Sequence, residues 1–132
     1  MLFKNASIRV VRAYIDAFNA RDLAGVERLL APECKFIASK GGYVEGREAA
    51  VEATRRFFAM PIEFALEASE LVRHGDDVLV RGEMRSSDPH LANDSLWRAR
   101  SDGRHLLEWQ SFARGNALPF ARLVMPEVAR YN

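Results

Sequence analysis

Cysteine is almost missing from this sequence. Cys34 stands alone among 132 residues, which excludes an intrachain disulfide and any thiolate-rich metal site. At the start of an apolar segment, it reads as a small buried hydrophobe rather than a nucleophile. An excess of charge of one sign is missing too. The 19 Lys and Arg against 18 Asp and Glu leave a formal net charge of +1, too weak to draw in nucleic acid or an anionic bilayer. Arg55-Arg56 lies among acidic neighbours and reads as a solvated helix face. No apolar run approaches the roughly 20 residues of a membrane span. Arg9, Arg12 and Asp16 interrupt the apolar pattern that a signal peptide would need unbroken. The expectation is a cytoplasmic protein with no nucleic-acid or membrane partner, folded as one domain over 1–132.

Chemically informative clusters are equally scarce. His74, His90 and His105 fall in a turn, a loop and a strand start, without metal-ligand spacing, so no metal is expected. A Gly-rich phosphate loop, a Ser nucleophile motif and a dinucleotide fingerprint are all lacking, so no cofactor is expected.

What is present is clear periodicity. Ile8, Val11, Ile15 and Phe18 recur at three- and four-residue spacing, one face of a helix, with Tyr14 on its flank. Asp22 is placed to cap a short second helix carrying Leu23, Val26, Leu29 and Leu30, which Pro32 stops. CKFIA reads as a strand and KGGYVEG as a loop. Gly46 opens a third helix with Ala50, Ala53, Phe57 and Phe58 on its apolar face, and Pro61 closes it.

From Ile62 the period becomes two. IEFALEASELV and VLVRGEMRS alternate around the turn HGDD, and SLWRAR and HLLEWQSFAR alternate around SDGR, where Asp102-Gly103 signals a hairpin. Helices followed by long hairpins predict an α+β fold, a curved antiparallel sheet with three helices on its concave face. The tail NALPFARLVMPEVARYN is apolar and is expected to dock on the body or on a partner chain.

The run YIDAFNARDLAGVERLLAPEC, followed by EGREAA and the hairpins, resembles the nuclear transport factor 2-like superfamily, in particular its ketosteroid isomerase and SnoaL-like cyclase branch. The resemblance implies a cone-shaped, cystatin-like half-barrel, a scaffold that hosts many activities and also non-enzymatic modules. It places Tyr14 on the family's oxyanion-donating tyrosine. The general-base aspartate of the isomerases falls at Ala38, the second oxyanion donor near Ser95 and a supporting tyrosine at Thr54. With no proton acceptor at Ala38, the isomerase mechanism does not carry over.

A replacement base has one candidate. Carrying the inward phase onto the last strand turns Leu106, Glu108, Gln110 and Phe112 toward the concave side, beside Ser95 and Trp97 of the preceding strand. Glu108 would then be a desolvated carboxylate facing the Tyr14 phenol, a pair suited to general acid–base chemistry. The competing reading slips the phase at a bulge, turning Trp109 inward and Glu108 out toward Arg98 or Arg100. Tyr14 likewise reads either as a proton donor or as a core aromatic with a polar tip.

The expected pocket comprises Phe18, Phe36, Thr54, Phe58, Met84, Ser95, Trp97, Gln110 and Phe112 around catalytic Tyr14 and Glu108. Two functions follow. One is a cofactor-independent isomerase, lyase or cyclase acting on a small apolar organic molecule. The other is a non-catalytic ligand-binding or dimerisation module whose catalytic positions have decayed. The outer sheet face, with Leu79, Arg81, Glu83, Arg85, Leu96, Arg98, Leu107 and, in the first of the two phases, Trp109, has an interface composition and is expected to form a homodimer.

Overall fold

A computed structural model of the chain describes residues 2–38, 41–89 and 92–113. The calls on His90 and on the docking of the tail fall outside these residues.

The amphipathic N-terminal pattern forms α1 (Leu2–Asn19), which buries Val10, Val11, Tyr14, Ile15 and Phe18. Helix α2 (Leu23–Leu29) starts where expected: the Asp22 side chain accepts from the Gly25 N–H at 2.9 Å. A side chain at Gly25 would collide with that carboxylate, so the glycine makes room for its own cap. Helix α3 (Arg47–Phe58) follows Gly46, whose φ of 96° is one that glycine adopts readily.

Strands β1 (Leu30–Ile37), β2 (Tyr43–Glu45), β3 (Phe64–His74), β4 (Asp77–Ser86), β5 (Asn93–Ser101) and β6 (Leu106–Ala113) form one sheet in the order β2-β1-β6-β5-β4-β3. The fold class is the expected α+β cone, with two differences. Strand β1 pairs with β6 in parallel, so the sheet is mixed rather than purely antiparallel. The KGGYVEG loop also contains β2, three residues paired with β1, too short to leave a periodic signal.

Helices α1 and α3 pack on one face of the sheet. There Leu66, Val78, Val80, Trp97, Ala99, Leu106 and Trp109 meet Val11, Tyr14 and Ile15. A smaller cluster of Phe18, Ala53 and Phe57 continues the core toward Phe64.

The end of α1 is fastened to the edge strand by one side chain. The Asn19 amide donates to the Leu66 carbonyl at 2.9 Å and accepts from the Leu66 N–H at 2.8 Å, acting as a strand partner for β3. Arg21 turns the chain at φ 55° and donates to the carbonyls of Phe58 at 3.0 Å and Ile62 at 2.6 Å. Its guanidinium lies 4.2 Å from the Phe64 ring centre.

Besides a register shift in β1 between Leu30 and Lys35, bulges in β3 and β6 set the side-chain phase. In β3 the register shifts between Ala68 and Glu70, leaving Ser69 as the extra residue. In β6 Glu108 pairs with Arg100 but Leu106 pairs with Ser101, so Leu107 is extra.

Candidate functional site in the cone

The bulge at Leu107 decides what faces the cone. Leu106 and Trp109 are three residues apart and both buried, which a strand of strict period two cannot achieve. Past the bulge the inward positions are Trp109 and Ser111, while Glu108, Gln110 and Phe112 turn to the outer face.

The inward phase expected for Glu108 is therefore overturned. Its carboxylate sits 2.6 Å from Nη2 of Arg98, whose guanidinium also meets Asp77 at 3.0 Å and Gln110 at 3.1 Å. Arg100 completes the group at 3.1 Å from Asp77. These residues are an outer-face ion network, not half of an active site.

Under the helices lies a cavity of about 70 Å3, lined by Tyr14, Phe18, Phe36, Ile37, Ala38, Leu66, Met84, Trp109 and Ser111. Of the expected pocket, Tyr14, Phe18, Phe36 and Met84 are brought together. Thr54 is buried and spends its hydroxyl on the Ala50 carbonyl at 2.8 Å within α3. Phe58 packs with Phe18 and Phe64, and Trp97 stacks behind Trp109 at 6.1 Å, so both support the walls without lining the space. Ser95 and Phe112 line a groove on the outer face. Ile37, Leu66 and Ser111 were missed as lining residues, and Trp109 was turned inward only by the competing reading, which the bulge bears out. The signal for Trp109 was its bulk beside a charged residue, whereas nothing local distinguished Ser111.

Tyr14 is held by aromatic rings on several sides, with centroids at 5.0 Å for Trp109, 6.0 Å for Phe36 and 6.2 Å for Phe18. The residue is 4% exposed, and no hydrogen bond to its hydroxyl is found among the described residues. Among the described residues no fully enclosed polar atom is left unpaired, and Tyr14 lines the cavity. Burial, with a smaller push from Cys34, raises the phenol well above its ordinary range, so near neutral pH it is a neutral donor. Burial likewise pushes the Cys34 thiol up to about 11, Arg47 opposing and Glu33 adding to the rise.

The size of the space bounds its contents. A buried water needs roughly 10–15 Å3, and a dry cavity that admits benzene is about 150 Å3. This cavity suits a few waters or a ligand of a handful of non-hydrogen atoms. Among the described residues, no carboxylate or imidazole lines it and no metal-binding cluster occurs. No described helix is long and apolar enough to cross a membrane.

Helices over a curved mixed sheet, closing on a small aromatic cavity with one phenol donor, define a cone-shaped pocket domain. A family model of the SnoaL-like domain matches residues 11–116, and the chain belongs to that family. Solved structures agree in fold. An LEH-like epoxide hydrolase of M. tuberculosis superposes with a TM-score of 0.73 at 16% identity, over 83% of this chain and 79% of that one. An NTF2-like protein of unknown function from Mesorhizobium loti gives 0.69 at 24% identity, over 84% and 93%. A hypothetical protein with a ketosteroid isomerase-like fold from Catenulispora acidiphila, in complex with trimethylamine, gives 0.70 at 18% identity, over 90% and 91%. Among curated proteins nothing matches significantly.

Proposed function

We propose that this SnoaL-like domain is a binding module for a compact, neutral organic molecule carrying one hydrogen-bond acceptor, such as a small ketone. The observation that carries the reading is Tyr14, a neutral donor in the cavity wall whose hydroxyl has no partner among the described residues. An acceptor oxygen there takes up the donor, and Phe18, Phe36, Met84 and Trp109 bury the apolar body. An anion would enter an apolar space with no cation lining it, at a large desolvation cost. Proton abstraction finds no base among the described lining residues: Ala38 has none, and Glu108 is engaged by Arg98 on the far face. The arrangement thus favours the non-catalytic alternative over the isomerase or lyase reading.

Trp109 in the wall supplies the measurement. Titrating cyclobutanone should change tryptophan fluorescence saturably, and Tyr14→Phe should weaken binding about tenfold, the worth of one hydrogen bond, with the fold retained. Equal affinity of the two proteins, or no saturable binding, would reject the reading. Tighter binding of trimethylammonium chloride than of the ketone would mean that ring faces, rather than the phenol, select the ligand.

We also infer a homodimer through the outer sheet face. Among the described residues, the exposed large apolar side chains Val72, Leu96 and Phe112 all lie on that face.

A further inference from the structure

A concavity larger than the cavity of the cone lies on the opposite side of the sheet. Glu67, Ala68 and Ser69 of β3, Arg81, Gly82 and Glu83 of β4, Ser95 and Leu96 of β5, and Phe112 of β6 form an open groove of about 720 Å3. Its shape comes from the bulge at Ser69. There β3 approaches β4 so closely that a side chain at Gly82 would run into the Glu67 carbonyl. Leu96 and Phe112 stand exposed in it, 36% and 42% respectively.

We propose that this groove is the docking site of the chain's own segment 114–127, RGNALPFARLVMPE. Four observations on the molecule and its sequence carry the assignment. First, the segment starts at the groove: Phe112 is part of its wall, and Ala113, paired with Ser95, ends β6 at its rim. Second, the lengths fit. Crossing from β6 to β3 means three strand spacings of about 4.8 Å, or about 14 Å. The residues from 113 to 120 span up to roughly 23 Å, which brings Phe120 across to β3 with length to spare.

Third, the chemistry fits. Leu118, Phe120, Leu123, Val124 and Met125 supply apolar side chains for Leu96 and Phe112. Arg81 has no ion pair among the described residues, and Glu127 is an acid within the segment's reach. Arg114 and Arg122 supply charge opposite to that of Glu67 and Glu83, which among the described residues are bridged by the exposed Arg85 at 3.2 Å and 2.9 Å. Fourth, size decides between the two concavities. The cone offers about 70 Å3, too little for a bulky apolar segment, and the groove about 720 Å3. A tethered segment also meets the groove at an effective concentration on the order of millimolar, well above what a separate chain reaches.

Cysteine pairing in the full-length protein tests this. Ser69→Cys combined with Ala121→Cys places one thiol in the groove and one beside Phe120. Both sites leave the apolar side chains intact, and the buried Cys34 stays out of reach. Mild oxidation should close an intrachain disulfide in this pair at least tenfold faster than in a control pairing Ala121→Cys with Glu27→Cys on the exposed side of α2. A second pair, Ser69→Cys with Ala117→Cys, guards against one unfavourable geometry. The proposal is overturned if both groove pairs close no faster than the control, or if the product is a dimer, which would make the occupant another copy's segment. Faster closure with Ile37→Cys at the cone would also overturn it, placing the segment over the cavity. None of these outcomes depends on the ligand reading.

Discussion

Tyr14 and Cys34 are both buried, and burial raises the pKa of each. For Cys34 the ordinary value of 9.0 rises to about 11 in the folded chain. A group whose proton binds more tightly in the native state adds stability below its unfolded pKa and loses it as pH rises through the folded one. The stability that Cys34 contributes is therefore complete below pH 9 and disappears toward pH 11. Denaturant midpoints of the wild type and of Cys34→Ala should converge across that window. A gap that stays constant with pH would show that the thiol does not titrate in the folded protein. Glu108 gives a second outcome. Glu108→Gln removes the negative charge that Arg98 meets in a part-buried network and should cost about 1 kcal/mol of stability. Cyclobutanone binding should be unchanged, because Glu108 and the cavity lie on opposite faces of β6. A loss of binding would return Glu108 to the site.

The secondary-structure elements were legible because their periods were regular. The three-four spacing of Val11, Ile15 and Phe18, the Asp22 cap, and the alternations on either side of Gly75 and Gly103 correspond directly to α1, α2 and the two hairpins. The bulge in β3 was not legible, and the one in β6 only as a competing reading. A single extra residue at Leu107 inverts every side chain beyond it, and no composition rule marks where an alternation skips. Residues expected in one pocket accordingly meet on α1 and β1, at Tyr14, Phe18 and Phe36, but turn to the outer face on β6, at Glu108, Gln110 and Phe112. Long-range clamps also left no trace in the sequence. Asn19 looked like an ordinary helix-end residue, yet it binds both polar groups of Leu66, 47 residues away. Asn19→Ala leaves a part-buried N–H and C=O unpaired and should destabilise the fold by about 1–3 kcal/mol. The Leu66 amide should then exchange with solvent far faster than its neighbours on β4. An unchanged denaturation midpoint and unchanged exchange would show that water replaces the clamp at no cost.

The outer face bears on the proposed association of the whole molecule. Much of its charge is already paired within one chain: Arg98 with Asp77 and Glu108, and Arg85 with Glu67 and Glu83. A second copy gains little by contacting charges that are already satisfied. If residues 114–127 cover Leu96 and Phe112, the apolar surface left for a partner centres on Val72, 45% exposed, and Leu79, which pair with each other across β3 and β4. Association driven by such a patch is an area effect rather than a charge effect, and its salt dependence should show this. Sedimentation equilibrium at micromolar concentration should give twice the 14.9 kDa chain mass, with the dissociation constant nearly unchanged between about 0.05 M and 0.5 M salt. Val72→Arg should shift the equilibrium to monomer without lowering the denaturation midpoint of the monomer. A strict monomer in the wild type would refute the dimer. A dimer that dissociates as salt rises would place the contact on the Arg98 and Arg85 networks instead of on Val72.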